Sequence, residues 1–219
     1  MGNLIWKELI NEWRSREMVV SMFIFGLAVT LVFAFAFNVS PVLFRQFAPG
    51  LLWVVILFTS VLGLNRLFSY EGDMDAHWSW ISAPIDRGIV FFSKLLIGFI
   101  FLSMAELLFI VPFFLFLNLD VSFSILFFLG ILILGNSAII SIGCLISGLA
   151  LRANMREVLI PVLLFPLASP VVIAATKSTV FIFQNKPFEE WRIWILILFT
   201  FLLTSALLGY LLYDQIVEE

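Results

Sequence analysis

Apolar residues arrive along this chain in long unbroken blocks, and polar residues gather between them. Six blocks read as membrane spans: about Met18–Phe37, Gly50–Leu64, Ile89–Leu117, Val121–Leu151, Val158–Thr176 and Trp191–Tyr213. A hydrocarbon core about 30 Å thick is crossed by roughly 20 apolar helical residues. The second block is short unless Phe47, Leu67 and Phe68 extend it, and the third and fourth exceed the core and must tilt or project. The first block carries a leader-like Ala34-Phe35-Ala36, but its apolar run is too long for a cleaved leader, and an amphipathic segment precedes it. The pattern predicts an all-α integral membrane protein with six transmembrane helices.

Ahead of the first block the period changes. Leu4, Ile5, Trp6, Leu9, Ile10 and Trp13 recur at helical spacing, with Lys7, Glu8, Asn11, Glu12, Arg14 and Arg16 on the other face. Residues 1–17 are therefore expected to form an N-terminal amphipathic interfacial helix with tryptophan at the headgroup level. Residues 18–213 form the six-span domain and 214–219 a short tail.

Composition agrees. The 219 residues are 63% hydrophobic and 12% charged, whereas a soluble domain is about half apolar and about a quarter charged. No polar stretch is long enough for a second core. A net charge of -3 argues against a nucleic-acid partner, which needs a basic face. Cys144, the only cysteine, rules out an intrachain disulfide and a CxxC pair.

Lysine and arginine set the expected orientation. With the N-terminus inside, Lys7, Arg14, Arg16, Arg66, Arg87, Lys94, Arg152 and Arg156 lie on the cytoplasmic side. Arg45, Lys177, Lys186 and Arg192 lie outside, so eight of the 12 basic residues are inside. Both termini are then cytoplasmic, and so is loop 65–88.

That loop holds the densest polar stretch, Glu71–Pro84. Asp73 suits a helix N-cap and Asp75 the first turn, where the dipole favours negative charge. Met74, Trp78 and Ile81 share one helical face, and Pro84 ends the helix. A short cytoplasmic helix is expected, with Glu71 at its entry and Trp80 beside Trp78. It either docks in a partner's groove or lies on lipid. His77, the only histidine, lacks the companion ligands a metal needs. Axial heme ligation by this His and a Met is conceivable, yet a surface or interface role suits its acidic surroundings better.

Within the spans, Glu106 lies at mid-depth, where an ionisable group is costly and marks a functional candidate. The alternative is a carboxyl bonded to a neighbouring helix. Pro112 is expected to kink the same span. Ser137, Ser141, Cys144 and Gly148 form a stripe of small residues suited to close helix contact, either inside the chain or between subunits. Pro161, Pro166 and Pro170 remove three backbone donors within ten residues of span five. A broken or kinked, even re-entrant, span is expected there, followed by a short outer helix within Thr176–Asn185.

Several signatures are missing. There is no G-x-x-x-x-G-K-[ST] for a nucleotide, no H-E-x-x-H or G-x-S-x-G for a hydrolase, and no C-x-x-C-H for attached heme. Glu106 and His77, at mid-membrane and in a loop, are too far apart to share a reacting atom, so an enzyme is not expected.

The segments "FAPGLLWVVILFTSVLGLNRLF" (Phe47–Phe68) and "VLIPVLLFPLASPVVIAAT" (Val158–Thr176), with Pro84 and Lys94 between them, resemble the CcmB family of ABC-2-type permeases in cytochrome c maturation. The resemblance covers Phe47 to about Lys177. It departs at Asn65, where an acid is common, and at His77-Trp78-Ser79-Trp80. It implies a permease of the bacterial inner membrane with no directly bound cofactor. ATP would sit on a CcmA-like ATPase, and CcmC- and CcmD-like proteins and a CcmE-like heme chaperone would be partners, with a homodimer possible. The loop helix, namely Glu71, Asp73, Met74, Asp75, His77, Trp78, Trp80 and Ile81, would be the coupling helix. The work driven by ATP would be heme export or release of heme-loaded chaperone. The alternative is an ABC-2-type permease for another amphipathic substrate, such as a lipid, glycan or drug.

Overall fold

The computed structural model describes Trp6, Ile10 and residues 16–36, 41–73, 87–119, 122–150 and 156–218. Among these, six long helices follow one another: α1 (Glu17–Ala36), α2 (Pro41–Asp73), α3 (Arg87–Phe116), α4 (Ile125–Ala150), α5 (Arg156–Phe183) and α6 (Phe188–Glu218). Each is long and apolar enough to cross a membrane. Large apolar side chains face outward, with Phe35 77% and Leu126 78% exposed, a surface suited to lipid rather than water. Of the surface helix expected over residues 1–17, Trp6 and Ile10 are described as helical and exposed, while Arg16 is non-helical with a positive φ of 54° and Glu17 already begins α1.

Helix boundaries depart from the apolar blocks most at α2. Its 33 residues extend about 50 Å at 1.5 Å each, well beyond a hydrocarbon core of about 30 Å. The apolar part is Gln46–Phe68, so the helix continues into the polar stretch as far as Asp73. The short span read from the sequence is thus the middle of a longer helix.

The helices alternate in direction. At one end Glu17 of α1 pairs with Arg66 of α2 at 3.0 Å, and the Phe91 ring of α3 lies 5.6 Å from Tyr213 of α6. At the other end Phe35 of α1 meets Phe116 of α3 at 6.0 Å. The hub is α4, which packs against α2, α3, α5 and α6, whereas α1, among the described residues, packs on α2 and α3. Small residues let α4 take that place. A Cβ on Gly135 would fall 2.3 Å from Trp53 Cη2, and one on Gly143 would fall 2.2 Å from Leu64 Cδ1.

Span five is neither broken nor re-entrant. It is one continuous 28-residue helix with Pro161, Pro166 and Pro170 inside it. Pro170 cannot donate to the carbonyl of Pro166, four residues back, but the Ser169 hydroxyl donates to that oxygen at 2.8 Å. A side chain thus supplies a bond the backbone lost, as transmembrane helices allow. The outer helix expected within Thr176–Asn185 is instead the last two turns of α5, which reaches Phe183. Pro112 likewise lies inside α3 without ending it.

Two hairpin turns use the same device. Asn118 and Asn185 adopt positive φ of 51° and 52°, the left-handed conformation that closes a helix. Leu119 N–H donates to Phe114 O at 3.0 Å and Lys186 N–H to Phe181 O at 3.0 Å, the long backward bond of a Schellman cap. The Asn185 amide also reaches Ser122 O at 3.3 Å, tying the two turns together. Beneath them Phe123 stacks on Phe183 at 4.4 Å.

The small-residue stripe of α4 is largely internal. Ser141, Cys144 and Gly148 are buried, and Ser141 Oγ lies 2.8 Å from Ser205 Oγ of α6. Replacing Ser205 by alanine is expected to destabilise the bundle by about 0.6 kcal/mol, the average for a hydrogen bond between membrane helices. Denaturation of the purified protein in mixed micelles reads that difference.

Candidate functional site

Glu106 is set about two-thirds of the way along α3 and Asn136 near mid-length of α4. They are 3% and 1% exposed. Asn136 Nδ2 donates to Glu106 Oε2, so the acid and the amide join two neighbouring helices. Glu106 Oε1 and Asn136 Oδ1 have no hydrogen-bond partner. Two acceptors thus stand unpaired at a depth where burial of an unpaired polar atom is costly.

Above the pair lies a groove of about 640 Å³, lined from α3, α4 and the turn between them. Its walls are apolar but for Ser103, Glu106 and Asn136. It reaches along α3 from Phe99 to Leu115 and along α4 from Ile125 to Asn136, opening on the outward face. Such a groove accepts an apolar body, with the paired acid and amide buried at its floor.

Sequence reasoning picked out Glu106 but passed over Asn136, its partner. Asn136 sits directly before the stripe that was noticed, and a carboxamide inside an apolar block was the available signal. Ser137, at the head of the stripe, spends its hydroxyl on Ile133 O of its own helix at 2.7 Å. No proline of α5 lines the groove, so Pro161, Pro166 and Pro170 are not brought together with Glu106. Pro112 lies one turn and a half beyond Glu106 on α3, outside the lining.

At the opposite end of the bundle, Lys94 of α3 is 2% exposed. Its ammonium donates to Leu67 O of α2 at 3.4 Å and lies 5.5 Å from the Phe68 ring centre, within cation–π reach. This clamp holds α2 to α3 on either side of residues 74–86. Glu71 and Asp73 belong to the last turn of α2. Met74, Asp75, His77, Trp78, Trp80 and Ile81 lie outside the described residues, as does the coupling helix expected there. Among the described residues no three His, Cys, Asp or Glu side chains come together as a metal site.

Six apolar helices, four of them packed on a fifth, α4, with a buried ionisable group between α3 and α4, define a multi-pass α-helical membrane protein. The chain belongs to the CcmB protein family, whose pattern it matches over residues 1–215. It is similar to Heme exporter protein B of Pseudomonas aeruginosa, with 25% identity over 182 residues, 83% of this chain and 81% of that protein.

Proposed function

We propose that this chain is the permease subunit of an ABC-type complex for cytochrome c biogenesis in a bacterial inner membrane. ATP hydrolysis on a separate CcmA-like subunit would drive heme export or release of heme-loaded chaperone. CcmC-, CcmD- and CcmE-like proteins would complete the machinery. The observation that carries this reading is the family match along nearly the whole chain. The name of its Pseudomonas relative points the same way.

The geometry adds a physical route for the energy. A motor outside the membrane moves spans only through an element rigidly tied to them. Residues 74–86 connect two helices whose ends Lys94 clamps together, so force on that connection reaches α2 and α3 jointly. Contacts that differ between nucleotide states would then bias the permease.

Co-purification with the ATPase subunit, followed by ATPase assays, tests this. Trp78→Ala with Trp80→Ala is expected to leave the assembly intact and lower coupled ATPase activity about tenfold, the equivalent of about 1.4 kcal/mol in the coupling step. Full activity in that double variant, or purification without any ATPase, would remove the lever.

One observation keeps a second reading in view. The groove lining contains no histidine, cysteine or methionine, the side chains that commonly hold heme iron with tyrosine. An ABC-2-type permease for another amphipathic substrate, a lipid, glycan or drug, fits that lining as well. Neighbouring reading frames separate the two, since genes for CcmA-, CcmC- and CcmE-like proteins favour the first.

A further inference from the structure

We infer that Glu106 carries a proton in the folded protein and that this proton closes a second hydrogen bond to Asn136, so that the α3–α4 contact is a latch held by one proton. Asn136 Nδ2 already donates to Glu106 Oε2. The other two oxygens of the same pair, Glu106 Oε1 and Asn136 Oδ1, are both buried and both without a donor. A carboxylate only accepts, so the ionised acid leaves both of them orphaned. The neutral acid has one O–H. Placed on Oε1, it donates to Asn136 Oδ1, and acid and amide then face each other through two bonds in one ring. Both side chains end in torsions with broad, two-fold wells, so their planes turn to meet at little cost.

The surroundings favour the neutral form. Ser103, the other polar residue of the groove, gives no bond to either oxygen. Helix α4 has no charged residue, and its Cys144 is buried just over two turns beyond Asn136. On α3, Arg87 begins the helix, and Lys94 lies about 18 Å from Glu106 at 1.5 Å per residue with its ammonium on Leu67 O. The helices packed on these two hold their titratable groups toward their ends. They are Glu17 on α1 and Arg45, Arg66, Tyr70, Glu71 and Asp73 on α2. Those of α5 are Arg156, Glu157 and Lys177, and those of α6 are Glu189, Glu190, Arg192, Tyr210, Tyr213, Asp214 and Glu218. No charged side chain but Glu106 itself lines the groove. A buried carboxylate without a cation is far more costly than a buried, hydrogen-bonded acid. If the proton leaves, to water at the groove, the second bond goes with it and a charge remains on one donor. Turning that charge toward water relieves it and parts α3 from α4 along the groove. The latch is thus a proton-controlled joint, whatever substrate the permease handles.

Infrared spectra of the full-length chain in lipid nanodiscs at neutral pH test the proton directly. Glu106→Gln is the reference, because its amide N–H replaces the acid O–H and keeps the ring closed without a titratable proton. The parent minus this variant is expected to show the carbonyl stretch of a protonated carboxyl group. Asn136→Leu should move that band to higher frequency, as the acid carbonyl loses its donor. A carboxylate stretch in its place overturns the proposal, and so does a band that Asn136→Leu leaves unmoved. If Glu106→Gln does not fold, Glu106→Leu with Asn136→Leu serves as the acid-free reference. The joint is read by Ser103→Cys in the groove, labelled with a water-borne thiol reagent at rising pH, with native Cys144 setting the background. The labelling rate with Glu106 present, divided by the rate in the acid-free reference, should rise about tenfold per pH unit while the acid is still mostly neutral. A ratio that stays flat as pH rises overturns the latch.

Discussion

Replacing Trp53 by alanine is expected to cost about 3–5 kcal/mol, the range for emptying an aromatic site in a packed core. Trp53 is fully buried. Its indole N–H donates to Thr179 Oγ1 at 2.9 Å, and Thr179 in turn donates to Ala175 O at 2.8 Å. The side chain therefore fixes α2 to α5 by a hydrogen bond while its ring fills the space over Gly135 of α4. Trp53→Phe keeps most of the apolar volume and loses the bond, so it should cost about 1 kcal/mol. Gly135→Ala attacks the same contact from the other side, and a rigid indole leaves no easy relief. Unfolding of all three variants in mixed micelles should rank alanine at 53 as the most damaged. Equal stability of Trp53→Ala and the parent would show that this junction does not hold the bundle.

The second large effect is expected at Asn136. Asn136→Leu removes the donor that Glu106 accepts among the described residues and leaves a buried acidic group without it, at a cost of about 1–3 kcal/mol. Replacing both members, Glu106→Leu with Asn136→Leu, takes away donor and acceptors together and should recover most of that loss, since paired removal of polar partners is often nearly neutral. The double-mutant cycle isolates the interaction. If the double variant is no more stable than Asn136→Leu alone, the acid and the amide do not act as a pair.

The spans were legible because nothing but a bilayer accommodates apolar runs of that length. The extent of α2 was not. Arg45, Asn65, Arg66 and Glu71 interrupt the hydropathy count, but helical backbone bonds continue through polar residues and carry the element on to Asp73. In α5 the missing proline donors were counted correctly, while the replacement of the one lost at Pro170 depended on which way the Ser169 hydroxyl turned. Glu106 is conspicuous as an acid in an apolar block, yet its partner is chosen by the rotation of α4. Adjacent helical residues point about 100° apart, so Asn136 meets α3 while Ser137 turns aside. Only the packed bundle fixes that rotation.

Helix α1 lies at the rim, packed on α2 and α3 but not on α4, and that bears on how the protein can move. It enters the bundle along a single file, Met18, Met22, Gly26 and Thr30, and never reaches the central helix. Sliding or tilting it would disturb its contacts with α2 and α3 and leave those among the other five helices in register. A displacement of α1 alone would therefore alter the bundle at its rim rather than through the middle.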